Sequence, residues 1–308
     1  MLDIIVNLQA CGGKAAQRWE VFEVTARRVG INFKAHFTEY AGHAILLARQ
    51  LLSSQSHRIT VFGGDGTLNE VLNGIIEKDR LINPNTEVVF IGAGSSCDVV
   101  KMFLQVLPPL DRLTATASHL VDVVRLDCQD TRGKPVTRYF LVNSSVGIIS
   151  RSIELFNKNT PLQGWLKRRN IDAAALYAGL KNIATFGNMQ CTLQLPPQAA
   201  FQTELKNVTI FKSAYFGGGM NYGVASRADD GLLHIALIHG CSRWRTLFLL
   251  PALYDGTILN KPEAAYHQTT EFYFSVNNKP VCVEADGEII GYPPCHYRLL
   301  PRFLRLVI

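Results

Sequence analysis

Short apolar runs alternate with longer amphipathic stretches over the first 124 residues. Leu2–Val6 and Ile59–Phe62 end near glycines, Val88–Ile91 is a third such run, and all three suit buried strands. Gln17–Val29 and Gly42–Leu52 carry their apolar residues at helical spacing. Strands alternating with helices predict a parallel sheet. From Val121 onward the pattern changes to strand-like segments closed by turn residues: Val121–Leu126, Arg138–Ser144, Met189–Leu195, Val208–Ala214, Leu232–Ile238, Thr270–Val276, Val281–Val283 and Leu304–Ile308. The pattern therefore predicts an α/β N-terminal domain and a mostly antiparallel C-terminal β-domain. Two helical stretches interrupt the second half, Gly164–Phe186 and Ser242–Leu253. Each carries a Trp among basic residues, Trp165 with Lys167, Arg168 and Arg169, and Trp244 with Arg243 and Arg245. That composition suits a membrane interface, and a solvated helix whose Trp packs on the sandwich explains the same residues.

The sharpest local signal is RITVFGGDGTLNEVLNGII, Arg58–Ile76. A strand runs into Gly63, Gly64, Asp65 and Gly66, and a helix follows with Leu68, Val71, Leu72, Ile75 and Ile76 on one face. Thr67 followed by Glu70 has capping-box spacing and predicts the helix start at Thr67. Glycines let a ligand approach the backbone, and a helix N-terminus favours an anion such as phosphate. A carboxylate at Asp65 would repel that anion unless a cation such as Mg²⁺ lay between them. A tight strand-to-helix turn with glycines for geometry alone is the competing reading. The loop lacks the Gly-Lys-Ser/Thr of a Walker motif and the spacing of a dinucleotide fingerprint.

Composition narrows the class without choosing the function. The 308 residues are 47% apolar and 18% charged, which suits a globular chain of two domains. No run reaches the ~18 apolar residues of a membrane span, and the MLDIIVNLQ start has no basic leader, so the expected location is cytoplasmic. Thirty-one Lys and Arg against 25 Asp and Glu leave a charge of +6, which suits an anionic ligand or a membrane surface and gives no nucleic-acid signature. Seven scattered cysteines without a C-x-x-C pair argue against a disulfide framework and a zinc site. The histidines show no metal-ligand spacing.

GGDGTLNEVLNG at the end of a strand resembles the nucleotide-binding motif of the diacylglycerol kinase catalytic domain, shared by bacterial lipid kinases and sphingosine kinases within the NAD kinase superfamily. Other segments resemble the family in the same order: NLQACGGKA from Asn7, FTEYAGHA with Thr38, GAGSSCD from Gly92 to Asp98, FLVNSSVG from Phe140 to Gly147, YFGGGMNYGVASRADDGLLHIALI from Tyr215 to Ile238, and EADGE from Glu284 to Glu288. The chain departs from the family pattern at Leu8 and Cys11 in the first loop and at Ser95, Ser96 and Cys97 in the fourth, where Pro and Gly, then Thr, Gly and Asn, are usual.

The resemblance implies an α/β nucleotide-binding domain over 1–124 and a C-terminal β-sandwich domain over 125–301, with 302–308 returning to the first. It implies ATP with Mg²⁺ held by Asn7, Gly13, Lys14, Thr38, Gly63, Gly64, Asp65, Gly66, Thr67, Leu68, Asn69 and Ser95. Glu288 would be the general base that takes the proton from a lipid hydroxyl, with Asp65 steadying the metal. Asp230, with the main-chain oxygens of Arg227 and Leu232, would bind a structural Mg²⁺. From the residues alone, Asp286-Gly287 reads as a hairpin turn and Asp229-Asp230-Gly231 as a solvated loop. The expected activity is transfer of the ATP γ-phosphate to a lipid hydroxyl, first of all that of diacylglycerol, by a protein peripheral at the membrane. A sphingosine-like or soluble acceptor, a catalytically weakened binding homologue and a homodimer stay open.

Overall fold

The computed structural model describes residues 2–54, 56–158 and 171–308. The chain divides into two compact units: Met1–Val123 with Arg227–Asp229 and Leu300–Ile308, and Val124–Ser226 with Asp230–Leu299.

The first unit runs β1 (Leu2–Val6), α1 (Lys14–Arg28), β2 (Phe33–Phe37), α2 (His43–Ser53), β3 (Arg58–Gly63), α3 (Asp65–Ile75), a small β4–β5 hairpin (Ile76–Glu77 and Arg80–Leu81), β6 (Glu87–Gly92) and α4 (Pro109–Thr114). β1 lies between β2 and β3, β6 pairs with β3, and Arg305–Val307 adds a last strand to β6. Every one of these pairings is parallel. Side chains alternate across a strand, so Ile4 and Val6 meet Trp19, Phe22 and Ala26 of α1, with Phe62 and Ile91 beside them. On α3, Gly74 is a contact point, because a Cβ there would lie 2.6 Å from the Ile45 carbonyl oxygen of α2.

Strand β7 (His119–Gln129) leads into the second unit, followed by β8 (Pro135–Phe140), β9 (Asn143–Gly147), α5 (Ile148–Asn157), α6 (Ile171–Thr185), β10 (Met189–Gln194) and β11 (Phe201–Phe211). Then come β12 (Tyr215–Phe216), β13 (Met220–Asn221), β14 (Leu233–His239), α7 (Arg243–Tyr254), β15 (Ala264–Thr269), β16 (Glu271–Val276), β17 (Val283–Ala285) and β18 (Glu288–Val307). The antiparallel order β15-β14-β11-β10-β16-β18 forms one side, while β9 joins β11 to β17. Val124, Phe140, Leu193, Ile210, Ile235, Phe272 and Tyr297 converge in its buried core.

Several expectations need correction. β2 is not among the expected strands, because Lys34 and His36 alternate with its apolar residues and leave no apolar run. The expected single strand Arg138–Ser144 is two strands, β8 and β9, and Leu304–Ile308 is the tail of the 20-residue β18. Helix α3 begins at Asp65, so Thr67 is not its cap, and Gly64 precedes it without any side-chain cap. Glu70 serves the neighbouring helix, its carboxylate accepting from the Gly42 and Ala44 amides at 2.8 and 3.0 Å. Trp165, Lys167, Arg168 and Arg169 lie outside the described residues.

Candidate functional site

Because the strands of the first unit are parallel and adjacent, their carboxyl ends share one edge, where open α/β sheets bind ligands. Asn7 follows β1, Thr38 follows β2, Gly64 follows β3, and Gly94 and Ser95 follow β6. The structure ties these loops together. The Asn7 amide donates to Thr67 Oγ1 at 2.9 Å, and the Asn7 backbone N–H donates to the Phe62 carbonyl at 3.0 Å. The Thr38 N–H donates to the Val6 carbonyl at 2.9 Å, and the Ala93 N–H to that of Gly63 at 2.7 Å. Gly64 and Gly94 abut, and a Cβ on Gly94 would come within 2.6 Å of the Gly64 Cα. Gly63 is equally constrained, its Cβ position lying 2.6 Å from Thr67 Oγ1. These glycines therefore serve packing between loops as well as access for a ligand.

Helix α3 starts without a capping side chain, which leaves the first-turn amides around Gly66 and Thr67 and the positive end of the helix dipole for an anion. Leu68 and Asn69 lie in the same first turns and are buried, with Asn69 Oδ1 accepting from Asn73 at 3.1 Å. Gly13 precedes α1 in a left-handed conformation and Lys14 is its exposed first residue. Ser95 is exposed at the fourth loop.

Asp65 does something the sequence did not show. Its two carboxylate oxygens accept the backbone N–H groups of Asp98 and Val99 at 2.9 and 3.3 Å, which clips the Gly92–Asp98 loop to the start of α3. Burial raises its pKa above the usual carboxylate range, and the two amides oppose that rise. Asp98 itself is paired with Lys101 at 2.6 Å. The departures from the family pattern also acquire a geometry. Cys11 has φ +54° and Cys97 φ +47°, in the left-handed region that glycine and asparagine tolerate best. Glycine and asparagine are the residues the family places there. The Cys97 thiol faces Gly92, and burial pushes its pKa up to about 11, so it is an inert group in this loop.

In the second unit, Asp286 and Gly287 are the two turn residues of the β17–β18 hairpin, with φ of +47° and +87°, as their dipeptide suggests. Asp286 is structural: its carboxylate accepts from the Leu141, Val142 and Asn143 amides at 3.2, 3.0 and 3.1 Å and makes the break between β8 and β9. Glu284, which the sequence reading assigned no role, is 1% exposed. It hydrogen-bonds Ser145 Oγ at 2.6 Å and accepts the Gly287 N–H at 3.1 Å, and loss of hydration pushes its pKa up to about 8. Glu288 is the exposed first residue of β18, carried by this braced turn.

The residues around Asp230 do not fit a resident divalent ion. The Lys212 ammonium, 1% exposed, forms an ion pair with Asp230 Oδ1 and donates to the Leu232 carbonyl at 2.8 Å, so it occupies two of the three groups expected to bind Mg²⁺. His234 Nε2 lies 2.8 Å from the other oxygen of Asp230. Arg227 is exposed, with its guanidinium on Asp229 at 3.0 Å. Among the described residues, no cluster of three or more His, Cys, Asp or Glu side chains could hold a metal. The only sequence trace of Lys212 is a lone lysine ending the apolar run VTIF, and that of His234 a lone histidine within LLHIALI.

Comparison with known proteins agrees with this architecture. The family description "Diacylglycerol kinase catalytic domain" matches residues 2–126, and "YegS C-terminal NAD kinase beta sandwich-like domain" matches residues 164–308. A diacylglycerol kinase of Staphylococcus haemolyticus is 33% identical over 286 residues, covering 92% of this chain and 80% of that protein. Sphingosine kinase 1 of Arabidopsis thaliana is 22% identical, covering 94% of this chain and 68% of that protein. A crystal structure of a diacylglycerol kinase from Bacillus anthracis has a TM-score of 0.68 at 17% identity, covering 99% of this chain and 96% of that one, and bears on the fold alone. The fold is thus an α/β unit matching the diacylglycerol kinase catalytic domain joined to an NAD kinase-like β-sandwich. By sequence, the chain belongs to the diacylglycerol kinase family of lipid kinases.

Proposed function

We propose that the protein transfers the γ-phosphate of Mg²⁺-bound ATP to a lipid hydroxyl, with diacylglycerol as the acceptor. The observation that carries this reading is the convergence of Asn7, Thr38, Gly63–Thr67 and Gly94–Ser95 at one edge of the parallel sheet, around the uncapped start of α3. Amides there neutralise phosphate oxygens, and phosphoryl transfer depends chiefly on positioning and charge neutralisation. Asp65 uses one acceptor position on each oxygen for an amide, and the remaining lone pairs would hold the magnesium of the nucleotide. The lipid oxygen bonds to the γ-phosphorus as the bond to the β-phosphate oxygen breaks. Glu288 takes the hydroxyl proton, and ADP leaves; a bound Mg²⁺ would supply neutralisation of the phosphate charge.

A bilayer acceptor requires docking, and the exposed residues of α7 support that reading. Trp244 and Phe248 are 74% and 72% exposed, one helical turn apart, and Arg243 and Arg245 flank Trp244. No helix among the described residues is long and apolar enough to cross a membrane. The relative named sphingosine kinase makes a long-chain amino alcohol the second acceptor to test.

The test is transfer of labelled phosphate from ATP to diacylglycerol, sphingosine and soluble alcohols, with lipids presented in anionic vesicles. Label in the lipid fraction, diacylglycerol first, is the expected result, and Glu288→Gln should cut it roughly 10²–10⁴-fold. Label appearing only in a soluble acceptor, or an unaltered rate in the Gln variant, would overturn the reading or the role of Glu288 respectively.

A further inference from the structure

We infer that the Lys212 ammonium is a built-in replacement for a divalent ion at Asp230, so that this part of the second unit holds its structure without Mg²⁺. The argument rests on a chain of donors and acceptors that closes without a metal. Lys212 directly follows β11, and its backbone N–H is fixed to the Val142 carbonyl at 2.8 Å. Its side chain is 1% exposed and its ammonium reaches both Asp230 Oδ1 and the Leu232 carbonyl. The Leu232 N–H adds a donor to Asp230 Oδ1 at 3.1 Å.

On the other oxygen the order of protons is fixed by what each group can do. The Asp230 carboxylate only accepts, so His234 Nε2 carries the proton between them. His234 Nδ1 then accepts from the Tyr266 hydroxyl, whose oxygen accepts from the Gln268 amide at 2.9 Å. His234 is itself 1% exposed and stacks with Phe211 and Tyr266, which holds the ring in place. A divalent ion entering this cluster would find the Asp230 charge already cancelled, the Leu232 carbonyl occupied, and a cation of the same sign in its place. A buried ammonium is held there because it needs those same two oxygens.

The inference concerns the fold of the second unit and does not depend on which acceptor the protein phosphorylates. Thermal unfolding of the whole chain tests it, in excess EDTA and in millimolar MgCl₂ at matched ionic strength. The variants are Lys212→Met, Asp230→Asn and the double variant. The wild type should melt at the same temperature in both buffers. Lys212→Met should melt lower in EDTA and recover by at least about 2–4 °C as Mg²⁺ saturates the freed oxygens, whereas the double variant should not respond. Melting of the wild type that falls in EDTA and returns with Mg²⁺ would overturn the inference, as would a Lys212→Met protein indifferent to the ion. If Lys212→Met does not fold, the two remaining variants decide. A double variant more stable than Asp230→Asn supports the pairing, and one equally or less stable contradicts it.

Discussion

Asp65 and Asp230 are both aspartates in glycine-bearing turns, and both read as seats for a cation, yet their surroundings differ. Two backbone amides face Asp65, whereas an ammonium and an imidazole face Asp230. Amides stabilise a carboxylate through dipoles and leave its net charge in place. A lysine at hydrogen-bond distance cancels that charge. Under the proposed function the first aspartate would keep its attraction for an incoming metal–nucleotide complex while fixing the loop after β6, and the second is spent on its pairing with Lys212 and His234. Glu284 shows a third outcome in the same unit. It is buried with no cation among the groups that shift it, a hydroxyl and backbone amides on one hand and the charge of Asp286 on the other, and it keeps its proton to about pH 8.

The largest effect should come from crossing the two aspartates. Asp65→Asn is expected to lower phosphate transfer at least about a hundredfold, the scale of removing one preorganised charge-stabilising group, with a small change in melting temperature. Asp230→Asn should do the reverse: it leaves the buried Lys212 without its anion, at about 3–5 kcal/mol of stability, measured by denaturant unfolding. Equal effects of both substitutions on activity and stability would erase the contrast.

A smaller effect sharpens the account of the first unit alone. Gly94→Ala places a methyl 2.6 Å from the Gly64 Cα and forces the two loops apart, against backbone that cannot swing away. The expected cost is roughly 1–3 kcal/mol, together with a raised KM for ATP. Nucleotide KM and unfolding measured on the same variant check this, and an unchanged KM would show that the loop contact does not shape the nucleotide site.

The last effect is a pH dependence. An unfolded glutamate releases its proton near pH 4.3, while buried Glu284 holds it to about 8. Between those values the folded state binds more protons, so this residue's contribution to stability falls as pH rises through the window and levels off above it. Glu284→Gln keeps both hydrogen-bond partners and removes the titration. Its melting temperature relative to wild type should climb from pH 5 to pH 8, and a difference that stays flat would show that Glu284 is already ionised.

The sequence by itself determined the secondary structure wherever local spacing controls it. Leu2–Val6 is a strand over the expected residues, β3 and β6 extend one residue beyond theirs at each end, and Asp286-Gly287 turns as the dipeptide suggests. It also located the glycine loop, because a strand, three glycines and an amphipathic helix are all local signals. β2 escaped because its polar residues alternate with apolar ones, with His36 answered by Asp3 on the adjacent strand at 2.9 Å. Thr67 and Glu70 had the spacing of a cap, yet each found a partner elsewhere, Asn7 for one and the start of α2 for the other.

Only the tertiary structure decided what answers each buried charge. Asp65 meets an amide 33 residues away, Asp230 an ammonium 18 residues away, and Asp286 an amide 145 residues away. Periodicity and turn chemistry are written in neighbouring residues. The partner of a carboxylate is whichever donor the folded chain brings within hydrogen-bond distance, and no spacing along the sequence encodes that choice.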